Sequence, residues 1–426
     1  MLSYEVRNPI TTRPHRFRII VAAAVAVCLV PESGFSVEPA AAPPSSSGKS
    51  LILAGWHGTT TPTPQFIVDN FAFLESRPFH GMAVYMADDP VSGTNVTTQL
   101  MTNTAMSYAT ISAVLDPIRN LPFSQLRDNL GLVVANDPPD FFDDWSIIVQ
   151  NFSELARAVK DAGLKGIVFD NEQYFAPWGW YPDGVDYPQF TLAQYQAQAA
   201  ARGREVMQAM LAEFPDIVVL CLHGPYISDP YCMQQMGFQD VFPYYQLVGP
   251  FFTGFLQVSG EPGRCVDGGE LYWFRGTQEF SDSYNLRRYG IASDTADSPI
   301  IPPVLRPLWP GLSTIGFGVI DTPFETPFVQ VDMTPAILKT TLSNALQASD
   351  KWVWLYTEAR TFLLPESQGG ATQEWVDAVR DGILAAEAPP PSAPSSNKEN
   401  SSCGLLGIEA VAVLVALRLA RSRRPK

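Results

Sequence analysis

The segment Lys165-Gly166-Ile167-Val168-Phe169-Asp170-Asn171-Glu172 is an apolar run that stops abruptly in two acids flanking an amide. If the run is a buried strand, Asp170 and Glu172 emerge at its end in partly desolvated surroundings. Desolvation raises a carboxyl pKa, which is what a general acid needs near neutral pH. Glu172 is therefore the candidate acid/base and Asp170 the group that orients or tunes it. The plain alternative is that both acids cap the next helix or pair with arginines. A second acid, Glu358, follows the apolar run Trp352-Val353-Trp354-Leu355-Tyr356 and is a candidate nucleophile.

Groups able to hold a substrate lie at comparable places. Tyr174, Phe175, Trp178, Trp180 and Tyr181 put five aromatics into eight residues just after Glu172, and Trp56 and Trp354 sit at or near other strand ends. Aromatic faces stack on the apolar faces of sugar rings; a plug packed under a long loop has the same composition. His57, Asn171, His223, Tyr245 and Glu270 complete the substrate-binding candidates, with Glu270 following the flexible Gly268-Gly269 pair. A metal set drawn from His57, His223, Asp170 and Glu172 is the rival chemistry, although no HxH or HExxH spacing supports it.

The elements that must carry these residues alternate. Strands are expected at 51–56, 81–86, 130–135, 166–170, 217–222, 241–245, 314–320 and 352–356. Helices are clearest at 63–75, 147–162, 192–213, 335–348 and 373–386. This pattern implies parallel strands with crossover helices. Eight strands imply an α/β fold of the (β/α)8 barrel type with insertions, the largest over 246–312. An open doubly wound sheet would spread the polar strand ends along an edge, whereas a barrel gathers them at one mouth.

Two resemblances attach to Asp170-Asn171-Glu172. The sequence resembles the chitinase-like barrels, whose fourth strand carries DxxDxDxE; Asp170 and Glu172 match its last two acids, and Val168 replaces an earlier aspartate. It is also similar to the retaining glycosidases in which Asn-Glu ends the fourth strand and a second glutamate ends the seventh. Each implies glycosidic cleavage with Glu172 as proton donor. The partner is Asp170 in the first and Glu358 in the second. The rivals are a non-catalytic glycan-binding surface protein and a metal-assisted hydrolase.

The chain ends point to export. Arg7, Arg13, Arg16 and Arg18 precede the apolar run Ile19 to Val30, as in a signal peptide over 1–36. A linker over 37–49 leads to the barrel domain at 50–387. A Pro/Ser linker over 388–402 then leads to a hydrophobic segment with a basic end over 403–426. That tail, opening on Cys403-Gly404, resembles bacterial C-terminal sorting signals, which implies a sorting protease as partner and a membrane-held or released product at the cell envelope. Glu409 within its apolar run disfavours a permanent transmembrane helix.

Composition narrows the partners. The chain carries a net charge of −15, and residues 37–402 alone hold 19 basic against 40 acidic side chains. Nucleic acid is disfavoured, since its binding needs a basic footprint; a neutral or cationic polysaccharide or oligosaccharide fits. Of five cysteines only Cys221, Cys232 and Cys265 lie in the body, with Cys232 and Cys265 the expected pair if a disulfide forms. No serine elbow, Walker loop or dinucleotide fingerprint is present, so no cofactor is expected.

Overall fold

The computed structural model describes residues 48–388 apart from 56–59, 89–92, 173–177, 239, 294–295, 297 and 326–329. The signal, tail and most of both linker segments fall outside these residues. Among the described residues no helix is long and apolar enough to cross a membrane.

Eight parallel strands form the wall: β1 (Ser50–Ala54), β2 (Gly81–Tyr85), β3 (Leu130–Val134), β4 (Gly166–Asp170), β5 (Val218–Cys221), β6 (Cys265–Asp267), β7 (Thr314–Ile315 and Phe317–Ile320, divided at Gly316) and β8 (Trp352–Tyr356). Each pairs with the next. β8 also returns to β1 in register Ser50↔Trp352 through Ala54↔Tyr356, so the sheet closes through the divided β7. One principal helix follows each strand: α1 (Pro64–Asp69), α2 (Tyr108–Leu115), α3 (Ser146–Asp161), α4 (Leu192–Glu213), α5 (Val248–Ser259), α6 (Thr277–Asn285), α7 (Pro335–Ala348) and α8 (Gln373–Glu387). This is the barrel that the alternating pattern predicts.

Period-two alternation divides the apolar side chains into two cores. Leu51, Leu53, Ile167, Phe169, Val219 and Cys221 face the helices. Ile52, Ala54, Val168, Leu220, Leu222 and Trp354 fill the barrel interior. Strands buried on both faces read as continuous apolar runs, which is why most of them are visible in the sequence. Gly318 on β7 makes room for Trp354 of β8, since a Cβ there would meet the indole at 2.5 Å.

Three expectations are corrected. Residues 241–245 are not a strand: Pro243–Tyr245 form a 3-10 turn, because proline fixes φ and removes a ladder donor. The sixth strand is Cys265–Asp267, so the presumed insertion over 246–312 contains α5, β6 and α6 of the barrel itself. Cys221, Cys232 and Cys265 are buried free thiols, and the Cys232–Cys265 disulfide is absent. Burial pushes the Cys265 thiol up to about 12.

Candidate functional site

Side chains from three consecutive strand ends converge at the C-terminal mouth of the barrel. Asp170, in register with inward-facing Val168, is fully buried, and its Oδ1 accepts the backbone N–H of Glu172 at 3.2 Å. The next residue, Asn171, makes a reciprocal pair with the end of β5: its Nδ2 donates to the His223 carbonyl at 2.7 Å, and its Oδ1 accepts the His223 N–H at 3.0 Å. Asn171 thus locks the backbones of two adjacent strand ends.

His223 projects between two glutamates. Its Nε2 lies 3.5 Å from Glu172 Oε1 and 3.5 Å from Glu270 Oε2. The three ligand-type atoms are within 4.8 Å of one another. On the far side of the ring, Nδ1 is 3.0 Å from the hydroxyl of buried Tyr226. Tyr245, delivered by the 3-10 turn between β5 and α5, donates its hydroxyl to Glu172 Oε1 at 3.1 Å, with its ring 4.9 Å from that of His223.

Glu270 reaches the group because the chain after β6 continues along β5: Gly268 N–H donates to the Cys221 carbonyl at 2.7 Å and Glu270 N–H to the Leu222 carbonyl at 3.2 Å. Gly269 makes the turn with φ +55°, and a Cβ there would meet Arg287 Nη1 at 2.3 Å. Burial, and then the negative charges of Glu172 and Asp170, push the Glu270 carboxyl well above the usual carboxylate range. Burial likewise raises the Tyr245 hydroxyl, helped by Glu172 and Glu270.

The other sequence candidates lie as follows. Trp56, His57 and Tyr174 fall outside the described residues, and with His57 goes one member of the metal set. Trp178 is buried against Phe141, Phe169 and Phe251. Trp180 is half-buried and edge-on to Tyr244 at 6.3 Å. Trp354 is buried in the barrel, donating Nε1–H to the Gly268 carbonyl at 2.9 Å. Glu358 follows β8 and is exposed; its backbone N–H donates to Asp321 Oδ1 at 2.9 Å. β7 runs into Asp321 rather than a glutamate, and Asp321 accepts the backbone N–H groups of Glu358, Ala359 and Arg360.

Two tyrosines were not foreseen. Tyr356 and Tyr272 stack at 5.9 Å and 11°. Burial raises the Tyr356 hydroxyl, as do the carboxylates of Asp170, Glu358, Glu270 and Glu172. Its signal was present: Trp352, Trp354 and Tyr356 share the inward face of β8.

No family model matches the sequence, and no curated protein matches it. Among solved structures, the fold is similar to a GH5_18 protein from Streptomyces cattleya in complex with Manb1-4GlcNAc (12% identity, 80% of this chain and 82% of that one, TM-score 0.45). It is also similar to the catalytic domain of a hyperthermophilic chitinase from Pyrococcus furiosus (11% identity, 80% and 97%, TM-score 0.41). A GH18 chitinase from Pseudoalteromonas aurantia shows 12% identity over 78% and 99%, with a TM-score of 0.37.

Proposed function

We propose that this chain hydrolyses a glycosidic bond with Glu172 and Glu270 as its carboxylate pair. The observation that carries the reading is their spacing at the mouth, where a carboxylate oxygen of Glu172 lies within 4.8 Å of one of Glu270. Retaining glycosidases hold their two carboxyl groups roughly 5–5.5 Å apart, whereas inverting ones leave room for a water. The short gap favours retention through a covalent glycosyl-enzyme.

One proton serves the pair. Burial and neighbouring charge favour leaving it on Glu270, while the Tyr245 hydroxyl stabilises charge on Glu172. In this assignment Glu270 protonates the glycosidic oxygen as Glu172 attacks the anomeric carbon, and Glu270 then takes a proton from the incoming water. Glu172, read from the sequence as the proton donor, becomes the charged partner. Glu270 replaces Glu358 opposite it, because Glu358 is exposed on the rim. Asp170 fixes the backbone of Glu172.

The substrate class we propose is a neutral or cationic glycan, in keeping with the acidic body. The proposed setting is the cell envelope, with residues 1–36 directing export and residues 403–426 providing the hold. Product release from a polysaccharide panel, measured for the wild type, Glu172→Gln and Glu270→Gln, tests the enzyme. Cleavage by the wild type that both substitutions abolish is expected, with the anomeric configuration retained by NMR. Glycan binding without cleavage would make this a binding protein instead.

A further inference from the structure

The spacing around His223 is wrong for hydrogen bonds and right for something else. Its Nε2 is 3.5 Å from each of two carboxylate oxygens, beyond the 2.7–3.2 Å of an N–H···O bond. His223 is 5% exposed, and among the described residues neither its Nε2 nor Glu270 Oε2 has a hydrogen-bond partner. A buried imidazole nitrogen aimed between two acids with no bond to either calls for a partner from outside the chain.

A divalent cation meets that need. Zinc bonds to nitrogen and carboxylate oxygen are about 2.0–2.1 Å, so adjacent ligands on a tetrahedron stand about 3.3–3.4 Å apart. The two 3.5 Å separations are close to such edges, and the three ligand-type atoms lie within 4.8 Å of one another. The outer contacts fit as well. In the tautomer whose Nδ1–H donates to the Tyr226 oxygen, 3.0 Å away, the lone pair on Nε2 is turned toward the acids. Tyr245 donates to Glu172 Oε1 and so orients that carboxylate. Ligating histidines and carboxylates are oriented by outer hydrogen bonds of this kind.

We infer that Glu172, His223 and Glu270 bind one first-row divalent cation, of the zinc or cobalt type, through Oε1, Nε2 and Oε2, with a fourth position open to the mouth. Three protein ligands and an open position form a site that exchanges water or substrate oxygen. The inference goes beyond the glycosidic reading and concerns the same two glutamates: the ion takes the place of the proton they share, so ion and proton are alternative occupants of one site; the ion is held by the chain alone. Its test therefore needs no sugar.

The experiment is a titration of the full chain, stripped with chelator, with Co²⁺ followed by visible absorption. The expected result is a saturable d–d spectrum at one ion per chain that Zn²⁺ abolishes by displacement and that His223→Gln does not show. Tyr226→Phe, which keeps all three ligands, is expected to weaken binding roughly tenfold or more. Circular dichroism of both variants checks their fold. Absence of a saturable spectrum, an unchanged spectrum in His223→Gln, or an unchanged affinity in Tyr226→Phe would overturn the site. Cobalt binding without cleavage of any glycan would remove the glycosidic reading and leave the metal site standing.

Discussion

Two ionic groups stand three residues apart where β6 ends, Asp267 buried and Glu270 nearly so, and they are built in opposite ways. Asp267 meets Arg287 with Oδ1 2.8 Å from Nη1, and its Oδ1 also accepts the Gly269 N–H. Arg287 Nη2 donates to the Gly316 carbonyl at 2.8 Å, its Nε to Ser283 Oγ, and its Nη1 also to the Asp267 carbonyl. Glu270, by contrast, approaches His223 only to 3.5 Å and carries a carboxylate oxygen with no bond among the described residues. A buried charge with its bonds made joins elements, here fastening β6 to α6 and to the break in β7. A buried polar group with bonds left unmade is held ready for something that arrives.

The contrast breaks most visibly in activity. Glu270→Gln is expected to lower turnover by roughly 10²–10⁴-fold, the usual span of general acid–base catalysis, and Glu172→Gln, which removes the nucleophile, by at least as much. Their urea midpoints should stay level or rise, because Glu172→Gln removes a charge from a crowded acidic cluster and Glu270→Gln replaces a protonated carboxyl with a neutral amide; parallel denaturation and hydrolysis assays read both.

Arg287→Met should do the reverse by leaving Asp267 buried and unpaired. A loss of about 3–5 kcal/mol is expected, measured by urea denaturation. Restoration of stability by a second change, Asp267→Leu, would confirm that the unpaired charge is the cause.

His80 extends the comparison to the opposite end of the barrel. Its Nδ1 accepts the Leu51 N–H at 3.0 Å, and burial, with Arg127 assisting, holds its pKa down to about 4. The unfolded chain, with a pKa near 6.5, takes up the proton first. The stabilisation is therefore present above about pH 6.5 and lost as pH falls toward 4, a span of about 3 kcal/mol. Urea midpoints recorded from pH 7 to 4 should fall accordingly, and His80→Asn, which keeps an acceptor that does not titrate, should flatten the decline.

Tyr245→Phe is the mildest case. It removes one hydrogen bond to a carboxylate, worth about 1.5–3 kcal/mol, and should cost roughly tenfold or more in kcat while the melting temperature moves little.

Much of this was legible in the sequence where burial on both faces wrote apolar runs: seven of the eight strands, α4 at its observed limits, and Glu172 with His223 at two strand ends. β6 was not. Three residues, Cys265–Asp267, are too few to show a period, and Phe242-Pro243-Tyr244-Tyr245 offered a more apolar decoy nearby. Losing β6 placed Glu270 in an insertion, so it was read as a secondary contact rather than the neighbour of Glu172. The Asp267–Arg287 pair depends on the approach of α6 to β6, which no local pattern records. Val168, in place of an acid, and Asp321, at the end of β7, are departures from the two resembled patterns visible from residue identity and strand order.

Closure of β8 on β1 has a consequence in time. Ser50 pairs with Trp352, about 300 residues later. At roughly 5–20 residues per second of synthesis, one edge of Ser50–Ala54 waits on the order of 15–60 s for its partner. That edge is the apolar strand Ser-Leu-Ile-Leu-Ala, a template for unwanted pairing while it stays open. The first strand made is the one that most needs a chaperone's cover.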